Sequence, residues 1–247
     1  MSSPGTTDPS RPVAAAVIAP VAVFAIALVT RLFGLHHTPY VDELNHVLAA
    51  HSLLAHGTLE LTPGGEPYSR ARLFTYLTAA LFRAFGESLA VARIPAVIAG
   101  AALVTLLFVW VRSIAGRAAG WIAAMLFCFQ PQSIYLSQLA RFYTIQTLCF
   151  FGGAILIYRA VTDGSLTITR VLQLCAGAML LFLLALHFQV ITIVGVAGVL
   201  VWAVADRARE RLRPPQLLLS LAGALVVGVV ILFAIRRGAF ASQLALF

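Results

Sequence analysis

Residues 94–111 run Ile-Pro-Ala-Val-Ile-Ala-Gly-Ala-Ala-Leu-Val-Thr-Leu-Leu-Phe-Val-Trp-Val, with Arg93 before them and Arg112 after them. The run carries no charge over a length close to the roughly 20 residues that an α-helix needs to cross a bilayer. Lipid offers no partner for a free N–H or C=O, so such a run specifies a helix. Outward from it the pattern recurs: Val13–Leu35 on one side, then Trp121 to Ser133 or Leu136, Phe142–Tyr158, Val171–Leu186, Val190–Ala205 and Gln216–Ile235 on the other. The chain is 61% hydrophobic and only 11% charged, far from the balance of a soluble domain. Short alternating segments, the mark of a membrane barrel, are missing. The expected fold class is all-α, a polytopic transmembrane helical bundle of about seven spans.

The net charge of +8 comes from arginines, since no basic residue is lysine. They sit at the ends of the apolar runs, where topology and anionic headgroups account for them, and no nucleic-acid partner is expected. Cys128, Cys149 and Cys175 all fall inside apolar runs and match no disulfide or zinc spacing. Residues 1–12, rich in Ser, Pro, Thr and Gly, are expected to form a disordered cytoplasmic tail. Val13–Leu35 is long and more spans follow, so it reads as a retained anchor helix that tolerates Pro20. With Leu73–Phe85 not crossing, the short loops on the side of the N-terminus hold Arg112, Arg117, Arg159, Arg170 and the Arg207–Arg213 cluster, and the short loops of the other side hold Arg141, Arg236 and Arg237. The positive-inside rule then predicts a multi-pass cell-membrane protein with a cytoplasmic N-terminus and the 36–93 loop outside.

That loop collects the titratable groups. With its flanks it holds Asp42, Glu43, Glu60, Glu66 and Glu87, five of nine carboxylates, and His36, His37, His46, His51 and His56, five of six histidines. Val41, Leu44, Leu48, His51 and Ala55 recur at helical spacing, with Asp42, Asn45 and His46 on the other side. The spacing predicts an interfacial helix over 42–55, capped by Gly57. Thr62-Pro63-Gly64-Gly65 marks a turn, and Leu73–Phe85 is short for a span, a second interfacial or half-inserted helix.

Asp42-Glu43 is a carboxylate pair at the start of a helix. Such acids complement the helix dipole, or serve as general base or metal ligands. Glu43-x-x-His46 has the spacing of a carboxylate–histidine pair on one helix face, so Asp42, Glu43 and His46 are the candidate ligands of a divalent cation. Arg141, in Leu139-Ala140-Arg141-Phe142-Tyr143, and the pair Arg70 and Arg72 are either headgroup anchors or phosphate clamps. His51 and His56 read as ordinary interfacial residues, and His36-His37 either meets a headgroup or lines the site. The carboxylates cluster in a loop, whereas the runs from Ile94 to Ala205 are free of Asp and Glu apart from Asp163 between two of them. A transporter keeps ionisable groups near the bilayer midplane. The pattern therefore favours an enzyme over a transporter or lipid-handling protein; an inactive truncated scaffold is the third reading, which activity or partner data would separate from the first.

The order of features resembles the GT-C membrane glycosyltransferases, in particular the family-39-like group of protein O-mannosyltransferases and aminoarabinose transferases. The resemblance rests on Arg31 at the end of the first span, Pro39-Tyr40-Val41-Asp42-Glu43, and Ala50 to Gly57 as Ala-x-x-Leu-Leu-x-x-Gly. It continues with Gly65-Glu66-Pro67-Tyr68, Leu73-x-x-Tyr76-Leu77, Phe85-Gly86-Glu87-Ser88, Ala92-Arg93-Ile94-Pro95 and Ser137-x-Leu139-Ala140-Arg141-x-Tyr143. It covers about residues 28 to 160. It implies transfer of a sugar from a polyprenyl-phosphate donor to a hydroxyl of a glycan, lipid or protein on the outer side of the bilayer. Asp42 matches the catalytic aspartate with Glu43 beside it, Arg31 the arginine ending the first helix, Arg141 a contact to the lipid phosphate, and Glu66 a second loop carboxylate. Tyr68, Arg70, Arg72 and Tyr143 are expected at the substrate. The Tyr68–Arg72 segment departs from the Pro-Pro usual there, and a chain of about half the usual length is expected to lack the family's C-terminal half. One base and one displacement imply inversion at the anomeric carbon.

Overall fold

The computed structural model describes residues 11–208. Among these residues there are eight α-helices: α1 Arg11–Leu32, α2 Val41–His56, α3 Arg72–Phe85, α4 Leu89–Phe129, α5 Pro131–Ser137, α6 Tyr143–Thr162, α7 Ile168–Phe188 and α8 Thr192–Ala208. The only β pairing among them is one isolated bridge, Glu60 to Pro67. The 1–10 part of the expected tail, the expected span Gln216–Ile235, Arg236, Arg237 and most of the Arg207–Arg213 cluster lie outside the described residues. The all-helical class is as expected. Three of the helices (α4, α6 and α7) are long and apolar enough to cross a membrane, and the Val17–Leu32 part of α1 is a shorter apolar helix.

The chain divides into two compact units, up to Leu148 and from Cys149 onward. The first is organised by α4. Its 41 residues would reach about 60 Å as one straight helix, twice the thickness of a hydrocarbon core. Gly116 breaks it, with φ 88° and ψ 175°, a backbone region open essentially to glycine alone. The two arms fold back on each other: Phe108 meets Trp121 at 5.0 Å between rings, and a Cβ on Gly120 would lie 3.1 Å from Arg112 Cα. The expected pair of spans, 94–111 and 121 onward, is this helical hairpin. One boundary differs. The second arm stops at Phe129, and residues 131–137, expected as the end of that span and a polar turn, form the separate helix α5. Pro131 cannot donate a backbone hydrogen bond and opens α5 at its first turn. The Gln130 side chain caps it by accepting from the Ser133 N–H.

Helix α1 packs along both arms. Val23 and Ala27 are buried with Ala101, Val104 and Phe108 of the first arm and Ala124 and Cys128 of the second. Helices α2 and α3 pack against the start of α4 through Ala50, Ala79, Phe82 and Ala92, joined by Ala140. Gly57 ends α2 as expected, left-handed at φ 76° with its N–H donating to Leu53 O at 3.1 Å.

In the second unit the larger part of α6 packs with α7 and α8 around Ile157, Ala178 and Phe182. Gly153 lets the Phe182 ring approach, since a Cβ there would lie 2.7 Å from it. Tyr158 and Trp202 stack at 5.8 Å, and Arg207 donates to Ala160 O at 3.1 Å.

Candidate active site

The adjacent acids of α2 part company because neighbours on a helix point about 100° apart. Glu43 turns inward and is fully buried with Arg93, the residue before the 94–111 run. Arg93 donates from Nε to Glu43 Oε1 at 3.0 Å and from Nη2 to Oε2 at 2.8 Å, a two-point fork. The Tyr40 N–H donates to Oε2 at 2.9 Å and the Ala140 N–H to Oε1 at 2.6 Å. Burial pushes the Glu43 carboxyl up, but the Arg93, Tyr40 and Ala140 hydrogen bonds and the guanidinium charge outweigh it and hold the carboxyl below its ordinary range. Arg93 also donates to Leu35 O and to His37 O. One ion pair thus ties the end of the first loop, the first turn of α2, the start of α4 and the segment before α6.

Asp42 faces the other way. Its side chain is 48% exposed, and Oδ2 lies 3.4 Å from Nη1 of Arg141, whose side chain is 1% exposed. Arg141 also donates to Asp42 O at 2.8 Å and to the Tyr143 hydroxyl at 2.7 Å. Its guanidinium carbon lies 5.0 Å from the Tyr143 ring centre and 5.5 Å from that of Phe142, within range of cation–π attraction. Arg141 Nε is buried and has no hydrogen-bond partner among the described residues.

Tyr68 closes this group. The loop that carries it is pinned by its own N–H to Leu59 O at 2.6 Å and by Glu60 accepting from the Gly64 N–H at 2.9 Å. Burial raises the Tyr68 phenol, with Arg141 and Arg70 acting in the opposite sense and Asp42 and Tyr143 close enough to add to the rise. Below Tyr68 the imidazole of His46 is fully buried. Its Nδ1 is 3.0 Å from Thr75 Oγ1 and its Nε2 3.4 Å from the Tyr68 hydroxyl. Phe74 and Phe142 meet the ring edge-on. Burial, and then the charges of Arg141 and Arg70, push the His46 pKa down to about 3, so the ring is neutral.

Asp42, Arg141 and Tyr143 are in contact, Tyr68 lies against His46, and exposed Arg70 is near enough to act on Tyr68 and His46 through its charge. Other candidates do not join them. Arg31 is buried in the seam between α1 and α5, where it donates to Ser137 Oγ at 3.1 Å, Ser133 Oγ at 2.7 Å and Ala27 O at 3.1 Å. Gln138 caps the end of α1 by donating to Arg31 O and Phe33 O. Glu66 and Arg72 are exposed and outside the set of contacts around Asp42. The expected cation ligands Asp42, Glu43 and His46 do not converge: Glu43 is enclosed by Arg93 and two N–H donors, and both His46 nitrogens face hydroxyls. Among the described residues no three His, Cys, Asp or Glu side chains gather to hold a metal ion.

Sequence reasoning missed Arg93 and Thr75. An arginine just before an apolar run looks like a headgroup anchor, and only the return of α2 onto α4 gives it a carboxylate. The one available signal was Glu43 at the third position of a helix, where a carboxylate reaches back to the cap N–H.

Residues 69–235 match the dolichyl-phosphate-mannose-protein mannosyltransferase family. No curated protein and no solved structure matches the chain. The matched segment includes Arg70, Arg93, Arg141 and Tyr143 and begins just after Tyr68, so Asp42, Glu43 and His46 stand outside it and enter the site through the fold. A match over more than half of an apolar, helical chain places this protein in the dolichyl-phosphate-mannose-protein mannosyltransferase family of membrane glycosyltransferases.

Proposed function

We propose that this chain is an inverting GT-C membrane glycosyltransferase with Asp42 as its general base. It would move a sugar from a polyprenyl-phosphate donor to a hydroxyl of an acceptor glycan, lipid or protein on the extracytoplasmic side of the cell membrane. The observation that carries this reading is the Asp42–Arg141 pair: a half-exposed carboxylate 3.4 Å from a buried guanidinium. An acceptor hydroxyl is a poor nucleophile until its proton is taken, and Asp42 is placed to take it. As the acceptor oxygen attacks the anomeric carbon, the bond from that carbon to the phosphate oxygen breaks. The electron pair leaves with the phosphate, and Arg141 and Arg70 meet its charge, so no acid is needed for its departure. The proton on Asp42 passes to water after the product leaves. A single displacement inverts the anomeric centre. No step is drawn through a metal, because the candidate ligands do not converge.

The charge pattern supports this orientation: among the short loops, Arg112, Arg117, Arg159, Arg170 and the Arg207–Arg213 cluster fall on the side opposite Asp42, and Arg141, Arg236 and Arg237 on its own side. Transfer is read as release of free polyprenyl phosphate from polyprenyl-phosphate mannose by protein in nanodiscs supplied with acceptor extract. Asp42→Asn is expected to lower release by about 100-fold or more, the range for a positioned base. A folded Asp42→Asn protein with near-parental release would overturn the assignment. Arg141→Ala is expected to raise the donor KM; a variant with unchanged donor affinity would remove Arg141 from the phosphate.

A further inference from the structure

The Thr75–His46–Tyr68 chain is not explained by the reaction. His46 is fully buried, lies directly beneath Tyr68 and touches neither Asp42 nor solvent. Its two ring nitrogens face one hydroxyl each. A neutral imidazole has one donor and one acceptor, so the tautomer decides which hydroxyl donates and which accepts. Thr75 sets that choice. Its hydroxyl is fully buried, and Nδ1 of His46 is its one hydrogen-bond partner among the described residues. If Nδ1 carried the ring proton, the Thr75 hydrogen would have no acceptor, a cost comparable to a lost hydrogen bond. Thr75 therefore donates to Nδ1, the ring proton sits on Nε2, and Nε2–H points at the Tyr68 oxygen. That occupies a lone pair of Tyr68 and leaves its own O–H to donate elsewhere.

We propose that His46 is a positioning residue which, fixed by Thr75, orders the Tyr68 hydroxyl as a donor to an anionic oxygen of the polyprenyl-phosphate group held beside Arg141 and Arg70. This inference rests on the glycosyltransferase reading for its ligand, though not for its geometry. Neighbouring charges fit it. Burial first, then the charges of Arg141 and Arg70, keep the ring uncharged, and the same two charges favour an anion near Tyr68. Burial raises the Tyr68 phenol, so its proton stays on at neutral pH. The residue expected from its spacing with Glu43 to bind a metal instead serves a tyrosine.

The test uses the full chain in nanodiscs with polyprenyl phosphate as the binding probe and polyprenyl-phosphate mannose as the transfer substrate. Tyr68→Phe and His46→Asn are each expected to weaken polyprenyl-phosphate binding about tenfold, as for a hydrogen bond to a charged group. The asparagine amide overlays Nδ1 and cannot reach Tyr68, whereas the glutamine amide of His46→Gln overlays Nε2 and can. His46→Gln is therefore expected to stay within about threefold of the parent, and the His46→Asn/Tyr68→Phe double variant to be no weaker than either single one, as for residues acting as a unit. Equal effects of Asn and Gln, or additive effects in the double variant, would overturn the positioning role. Thermal unfolding of each variant separates loss of fold from loss of binding. A second readout needs no ligand. In protein labelled with 15N-histidine, the His46 signals, assigned by their loss in His46→Gln, are expected to show the proton on Nε2 and to shift on Tyr68→Phe. A proton on Nδ1, or indifference to Tyr68→Phe, would overturn the ordering. If the parent releases no polyprenyl phosphate yet binds it and shows these signals, the transfer reading fails and the inference stands.

Discussion

At the scale of single residues, Asp42 and Glu43 show how one bond of sequence separates two functions. Glu43 is enclosed by four hydrogen bonds and Asp42 is left half-exposed beside Arg141. Removing one partner of a buried ion pair leaves the other charge uncompensated, a cost of about 3–5 kcal/mol. Glu43→Gln and Arg93→Gln are each expected to lower the thermal midpoint sharply in detergent, and the double variant to lose less than the sum of the two. Equal stability of Glu43→Gln and the parent would show that the pair contributes nothing to the fold. Asp42→Asn, by contrast, should unfold like the parent while losing transfer, since its partner Arg141 also holds Asp42 O and Tyr143.

At the scale of elements, two glycines decide packing. Gly116 lets α4 turn back on itself. Gly116→Ala forces a Cβ into a backbone region open essentially to glycine, at about 1–3 kcal/mol. It is expected to lower the thermal midpoint, while Gly198→Ala in α8, which meets nothing within 4 Å, should leave it level or raise it, as alanine favours helix. Equal responses would remove the turn from the account. Gly100 lies where a Cβ would fall 2.2 Å from Ser137 Oγ and 2.9 Å from Arg31 Nε, so it makes room for the α1–α5 seam. Helix α2 carries the opposite lesson. Val41, at 76% exposure, Leu44 and Leu48 face outward while Glu43 and His46 face in. The apolar spacing named one face correctly, and that face suits an interfacial helix whose surroundings are headgroups and acyl chains.

At the scale of the whole molecule, His46 makes stability pH-dependent. Its pKa is pushed down to about 3 in the folded chain, against about 6.5 when unfolded. Between those values the unfolded state binds a proton that the folded state does not, so stability falls as pH falls, by about 1.4 kcal/mol per unit below 6.5 at most. Glu43, whose folded pKa is depressed, adds a loss only below the ordinary carboxylate range, about 4. Unfolding measured from pH 7 to 4.5 is thus expected to show a slope in the parent that flattens in His46→Gln; parallel profiles would mean that His46 charges freely in the folded protein. In the proposed reaction transfer should also survive EDTA, because Arg141 and Arg70 would meet the phosphate charge and Asp42, Glu43 and His46 do not converge on a common point. Loss of transfer on chelation, restored by a divalent ion, would overturn that.

Runs of apolar residues near bilayer length left α-helices as the only backbone solution for α4, α6 and α7, and the turn residues placed Gly57 at the end of α2. Those are local or one-dimensional properties, set by hydropathy and period, and they carry the fold class. The crowding of acids and histidines before Ile94 marked the loop that carries Asp42, Glu43 and His46, whereas Arg141 and Tyr143 come from beyond it. Which of them meet was decided only in three dimensions. Glu43 found Arg93 fifty positions away, Asp42 found Arg141 ninety-nine away, and Arg31 found Ser133 and Ser137 across the α1–α5 seam. The physical reason is that a charge can be buried only where its partner arrives. Sequence spacing shows a helix face, but not what the rest of the chain brings to it.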